Sequence, residues 1–270
     1  PMNNSMKLSG NAKIFFQVTP SIRAFYNIFV DKIESKEYDN DFRYAPDAIP
    51  TTHKDAFNHT LNITHTLTSN VFYLLNFSYF GEDRDTYLYS SPNDQRYQGM
   101  VPDLFSYNFG GTDNERESID YKNYLAKFDL TWQVDKRNLL KMGAEFKQFN
   151  LKYREIQTSA IPNSHYLPTK RGISFGEYFA MSRAPTIYVP GTNTLLNNQY
   201  EHNPVEFAVY AQDKLELGEI IANVGLRFDY FDPDGVVPEN PRDNYNAVTG
   251  TLETPFVEAS KKYQLDRKSV

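Results

Sequence analysis

Polar and apolar residues alternate with a period of two along much of this chain, the pattern of half-buried β-strands. In residues 11–19, Ala12, Ile14, Phe16 and Val18 share one face, opposite Lys13, Gln17 and Thr19. In residues 22–31, Ile22, Ala24, Tyr26, Ile28 and Val30 oppose Arg23, Asn27 and Asp31. The unit recurs. Leu61, Ile63 and Leu67 alternate with Asn62, Thr64 and Thr66, and Tyr73, Leu75, Phe77 and Tyr79 with Asn76 and Ser78. Tyr124, Ala126, Phe128, Leu130, Trp132 and Val134 oppose Asn123, Lys127, Asp129, Thr131 and Gln133. Leu140, Met142, Ala144 and Phe146 oppose Lys141, Glu145 and Lys147. Val205, Phe207, Val209 and Ala211 oppose Glu206, Tyr210, Gln212 and Lys214. Ile220, Ala222, Val224, Leu226, Phe228 and Tyr230 oppose Asn223, Arg227 and Asp229.

These segments predict roughly eight strands of about ten residues, the length a tilted strand needs to cross a bilayer. They form four hairpins, with tight turns at residues 20–21, 69–70, 135–137 and 218–219. The connections between hairpins are long and polar, at residues 32–56, 81–119, 154–204 and 232–260. Short turns alternating with long loops predict an all-β fold, an antiparallel transmembrane β-barrel with the turns on one side and the loops on the other. In such a barrel the apolar face meets lipid and the polar face lines the lumen. Ala126, Phe128 and Leu130 are therefore expected to point outward, and Lys127, Asp129 and Thr131 inward. Tyr73, Tyr79, Trp132, Phe228 and Tyr230 lie toward strand ends, where aromatic girdles form.

Composition narrows the picture. The chain has 270 residues, 40% of them hydrophobic, yet its mean hydropathy is −0.60, so apolar residues are dispersed. No run approaches the 18 apolar residues of a transmembrane helix, which leaves a closed barrel as the way to span a membrane. The absence of cysteine excludes a disulfide framework and thiolate metal sites. The net charge of −6, with no basic block, argues against nucleic acid as a partner. Residues 1–7 contain no apolar signal-peptide core. We therefore expect residues 1–270 to be a single partial barrel domain, without plug or signal peptide. Its first strand, and its last, should each lack a partner on one side.

Two stretches carry a resemblance. Tyr210-Ala211-Gln212-Asp213-Lys214, followed by Asn223-Val224-Gly225-Leu226-Arg227-Phe228-Asp229-Tyr230-Phe231, resembles the YxQD…GLRYDYF hairpin of TonB-dependent receptor barrels. Residues 38–54 followed by 61–80, with the closing Lys261-Lys262-Tyr263-Gln264-Leu265, are similar to the Oar-like subgroup, which carries an N-terminal carboxypeptidase-regulatory-like domain. The match departs at residues 266–270, where Asp266-Arg267-Lys268-Ser269-Val270 replaces the expected run. The resemblance implies a larger barrel of 22 strands with a plugged lumen. It also implies an outer-membrane location, uptake of a substrate at the cell surface, and partners in outer-membrane lipid, a plug domain and a TonB system. The plug and the TonB contact would lie in parts absent from this chain.

Motifs for chemistry are few. His59 and His65 share a strand face, but six residues at about 3.3 Å each place them too far apart to chelate one ion. His53, His165 and His202 are expected in loops. Asp232-Pro233-Asp234-Gly235 reads as a turn rather than a calcium loop. The sequon-like Asn58-His59-Thr60, Asn62-Ile63-Thr64 and Asn76-Phe77-Ser78 arise readily in alternating strands. No nucleophile elbow, phosphate loop or zincin motif is present, so no cofactor, metal or catalytic residue is expected and the protein is read as no enzyme. Tyr87, Tyr89, Tyr97 and Tyr107, in a loop rich in aromatics and amides, are the candidates for ligand contact. An uncoupled porin or adhesin-like barrel, a barrel enzyme and a soluble β-sandwich binding module are the rival readings.

Overall fold

The computed structural model describes residues 3–99, 107–161, 186–192, 196–240, 242 and 256–269. Among them, eight strands follow the alternation read above: β1 (Asn4–Gln17), β2 (Ile22–Lys36), β3 (Thr51–Thr68), β4 (Val71–Tyr87), β5 (Glu115–Gln133), β6 (Asn138–Gln157), β10 (Val205–Leu217) and β11 (Ile220–Asp232). A ninth, β14 (Lys262–Ser269), follows. Between them lie the short β7 (Ser159–Ile161), β8 (Thr186–Tyr188), β9 (Asn197–His202), β12 (Val236–Pro238) and β13 (Phe256–Glu258), and one 3-10 turn at Pro46–Ala48. The main sheet runs β1-β2-β3-β4-β5-β6-β10-β11-β14, all antiparallel, and β9 extends the line of β10 along the upper part of β6. The break between β9 and β10 falls at Asn203-Pro204, where Pro204 has no N–H to give the ladder. Its carbonyl still accepts from Phe149 N at 2.9 Å.

The four tight turns lie where expected, each built by local chemistry. Thr19 Oγ1 accepts from Ile22 N at 3.0 Å, and Asn70 N donates to Thr68 Oγ1 at 3.2 Å. The Asp135 carboxylate accepts from Arg137 N at 2.6 Å and Asn138 N at 2.9 Å. Gly218, at φ +70°, supplies the left-handed residue of the last turn. The long connections all leave and rejoin the sheet at the other end of the strands. They are shorter than the alternation suggested, because the strands run on past it: β3 has 18 residues and β6 has 20. The histidines need a correction too. His53 lies in β3 and His202 in β9, while His165 falls outside the described residues.

The register sorts the side chains into two faces. Leu75 lies opposite Ile63 and Phe128, Phe77 opposite Leu61 and Ala126, and Ala144 opposite Phe128 and Val209. Every one belongs to the apolar set. On the other face Lys127 lies opposite Asn76 and Glu145, and Lys147 opposite Leu125 and Glu206. No second layer covers the apolar face among the described residues, and Phe77, Phe128 and Leu226 stay 44%, 37% and 55% exposed. A soluble sandwich would bury these side chains in its core, so the sandwich reading is set aside. Among the described residues no helix is long and apolar enough to cross a membrane. Strands can cross a membrane when they close into a barrel.

The apolar face marks its own boundaries. Tyr26, His59, Tyr79 and Tyr124 form a stacked row across β2–β5, with Tyr79 and Tyr124 rings 4.8 Å apart and the His59 ring 6.0 Å from Tyr26. His59 Nδ1 is 2.7 Å from Tyr26 Oη, and His65 Nδ1 is 2.9 Å from Tyr73 Oη. These histidines are thus partners of tyrosine hydroxyls. From Tyr124 to Trp132, at about 3.3 Å per residue and a tilt of about 40°, the band rises about 20 Å, close to the apolar belt of an outer-membrane barrel. Just beyond the row the same face turns ionic, with Lys32–Asp55 at 3.4 Å, Lys122–Asp120 at 2.9 Å and Lys152–Glu201 at 3.2 Å. Asp213 also shares the apolar face. It lies opposite Leu140, whose other neighbour is Trp132, and so sits at the lower boundary. Among the described residues β1 pairs only with β2 and β14 only with β11, so the sheet is open at both edges.

Candidate functional site

The polar face is a wall of paired charges. Lys147 bridges Glu145 at 3.0 Å and Glu206 at 3.2 Å, and Arg227 pairs with Asp229 at 2.7 Å. Lys127 pairs with Asp129 at 3.4 Å, and Lys54 with Glu82 at 2.7 Å. Amides and hydroxyls fill the rows between: Asn76 Nδ2 donates to Asn62 Oδ1 at 2.6 Å, and Ser78 Oγ to Asn58 Oδ1 at 3.1 Å. One strut crosses a strand. The Tyr210 ring of β10 lies over Gly143 of β6, and its hydroxyl donates to Asp129 Oδ1 of β5 at 2.6 Å. Gly143 permits the crossing because a Cβ there would fall 2.4 Å from the ring. A concavity of about 710 Å³ opens by this wall, lined on its polar side by Glu145, Lys147, Glu206, Arg227 and Asp229. Charges so arranged suit a watery or plugged lumen, where pairing costs little desolvation.

The first two long connections are packed against one another. In the segment 37–50, Phe42, Ala48 and Ile49 are buried and form a small core. Two backbone bonds tie it to the segment 88–114: Asn108 N to Asp41 O at 2.7 Å and Asp113 N to Ala48 O at 2.9 Å. Thr158 N, just past β6, reaches Asn114 O at 2.9 Å. Within 88–114, Thr112 Oγ1 accepts from Gln98 N at 2.8 Å and donates to Asn114 Oδ1 at 2.6 Å. The Arg96 guanidinium grips Asp94 through two bonds, of 3.0 and 2.8 Å, and holds its carboxyl down at about 2. Burial pushes the Asp113 carboxyl and the Tyr97 phenol upward.

The four tyrosines read as ligand candidates part company. Tyr97 is 1% exposed, edge-on to Tyr89 at 5.0 Å, with its hydroxyl on Tyr89 O at 3.4 Å. It is the centre of its loop and presents nothing to a ligand. Tyr89 is capped by Arg96 at 4.0 Å. Tyr87 lies between His53, 5.0 Å away, and the Arg116 guanidinium at 4.7 Å. Tyr107 joins a different group, carried by both loops: the Arg43 guanidinium is 3.6 Å from its ring centre and 4.6 Å from that of Tyr44. Tyr44 stacks on Phe109 at 4.8 Å and 13°. Tyr44 and Phe109 are 51% and 61% exposed. Sequence spacing offers no sign of this cluster, because Arg43 and Phe109 come from separate loops. Among the described residues no group of three or more His, Cys, Asp or Glu side chains could hold a metal. The Asp232–Gly235 segment is a turn, with Asp234 at φ 48° and its carboxylate accepting from Asn203 N at 2.6 Å.

A two-faced antiparallel sheet, apolar on one side and ionic on the other, with short turns at one end and packed loops at the other, has the form of an outer-membrane β-barrel wall. Comparison gives the family: the model described as TonB dependent receptor-like, beta-barrel, matches residues 10–257, and the chain belongs to it. Among solved structures, the outer membrane transporter YddB from Escherichia coli is similar over 84% of this chain and 27% of its own, at 10% identity and a TM-score of 0.56. The ferric citrate transporter FecA aligns over 98% of this chain and 33% of its own, at 11% identity and a TM-score of 0.49. The chain thus spans about a third or less of these two proteins. No curated protein matches.

Proposed function

We propose that this chain forms part of the barrel wall of an outer-membrane receptor that binds a substrate at the cell surface and takes it up. Energy would enter through a plug domain and a TonB system contacted outside these residues. The observation that carries the reading is the polar wall: full charges paired along β5, β6, β10 and β11 on the face away from lipid. Such a wall suits a wide lumen holding water or a folded plug. The Oar-like resemblance adds an N-terminal carboxypeptidase-regulatory-like domain to the proposal.

Conductance tests it. The full-length receptor, reconstituted in a planar bilayer, should be closed, and deleting its plug should open a large conductance. An uncoupled porin would conduct without any deletion, and that result would end the reading. In cells, a cysteine or photo-reactive residue placed before the plug should cross-link to TonB.

A further inference from the structure

We infer that Arg43, Tyr44, Tyr107 and Phe109 form a binding site for a small ligand that carries a carboxylate on a flat-faced ring. The inference deepens the receptor reading, and rests on it for the site's place at the cell surface. Three observations carry it. The Arg43 guanidinium stands face-on to Tyr107, 3.6 Å from the ring centre, and donates to Tyr44 Oη at 2.7 Å. No carboxylate lies within 4.0 Å of it among the described residues, whereas Arg84, Arg96 and Arg227 each pair with one. Its Nε is buried without a hydrogen-bond partner.

Tyr44 takes one terminal N–H of this guanidinium, and the terminal N–H groups that remain can donate to a carboxylate. Beside it, Tyr44 and Phe109 offer parallel, exposed ring faces. Exposed stacked aromatics next to an unneutralised cation suit one chemistry: a ring laid against the aromatic faces, with its acid group on Arg43. The platform is held rigidly, since Phe42 anchors one loop and the Asn108 N to Asp41 O bond of 2.7 Å joins the two. Little ordering is then required on binding.

The acid-bearing ring has two sources, a sugar acid or an aromatic acid, and the test separates them. Purified full-length receptor in detergent is titrated calorimetrically with a hexuronate trimer, the matching neutral hexose trimer, 4-hydroxybenzoate and inorganic phosphate. The uronate or the hydroxybenzoate should bind about tenfold or more tightly than both the neutral sugar and phosphate. The tighter of the two names the source. Arg43→Gln should weaken that binding about tenfold or more, Arg43→Lys less, and Phe109→Ser, at an exposed position, should weaken it with thermal stability unchanged. Equal binding of neutral and acidic probes, no binding of either acid, or wild-type binding by both Arg43→Gln and Phe109→Ser would overturn the inference. Binding in detergent needs no energy coupling. A failure here with the expected conductance behaviour intact removes this site and leaves the receptor reading standing.

Discussion

Gly143→Ala isolates a device that ties three strands of the polar wall together. Alanine is ordinarily the better strand residue, by about 0.5–1 kcal/mol over glycine, because glycine loses more backbone freedom on folding. Here the added Cβ would fall 2.4 Å from Tyr210 Cε1, 2.7 Å from its Cζ and 2.8 Å from the Phe128 carbonyl oxygen. The ring must lift, and the 2.6 Å bond from Tyr210 to Asp129 goes with it. A hydrogen bond to a charged group is worth about 1.5–3 kcal/mol, and partial exposure to a watery lumen lowers that. Overpacking at these contacts adds about 1–3 kcal/mol, so after the gain from alanine the net expectation is destabilisation by about 2 kcal/mol. Tyr210→Phe, which keeps the ring and loses only the hydroxyl, should cost about 1 kcal/mol. The assay is urea unfolding of the full-length receptor in lipid vesicles, followed by the loss of its heat-modifiable band. In a Tyr210→Ala background Gly143→Ala should cost at least about 1 kcal/mol less, a coupling that a double-mutant cycle reads directly. A neutral or stabilising Gly143→Ala, or an equal cost in both backgrounds, would refute the strut.

Three further outcomes follow from the same geometry. Phe128→Arg, at the middle of the apolar band, should destabilise the barrel by about 2–4 kcal/mol, while Lys127→Gln on the other face should cost far less; vesicle unfolding compares them. Tyr97→Ala should remove the centre of the 88–114 loop, at a local cost of about 3–5 kcal/mol, and speed proteolytic cutting there, while binding of the receptor to lipid stays unchanged. The Asp94–Arg96 contact depresses a carboxyl to about 2, so its stabilisation is full above the ordinary carboxylate range and is lost as pH falls from about 4 through about 2. Carboxyl NMR on an Asp94-labelled receptor should follow that window, and a midpoint near 4 would contradict it.

Much of the sheet was legible because one apolar and one polar face impose a strict period of two. Residues 124–132 read correctly for that reason, and so did the four turns. The strand ends did not. Beyond Tyr79 and Tyr124, Glu82, Asp83, Arg84 and Asp85 put charge on both faces while the ladder continues. Alternation stops there but pairing does not. The loops were least legible. Tyr87, Tyr89, Tyr97 and Tyr107 look alike in sequence, and only the meeting of two loops buries Tyr97 and sets Tyr107 against Arg43. The histidine placements failed similarly, since His53 belongs to the upper, charge-rich end of β3.

The central claim is that one face of this sheet meets lipid and the other a lumen, and a cysteine scan tests it most directly. The chain has no cysteine of its own, so single replacements from Tyr124 through Trp132 can each carry one fluorophore in the full-length receptor, other thiols removed. A quencher dissolved in the lipid should act on labels at 124, 126, 128, 130 and 132, and a water-soluble quencher on those at 125, 127, 129 and 131. The reverse pattern, or quenching with no period of two, would contradict the account.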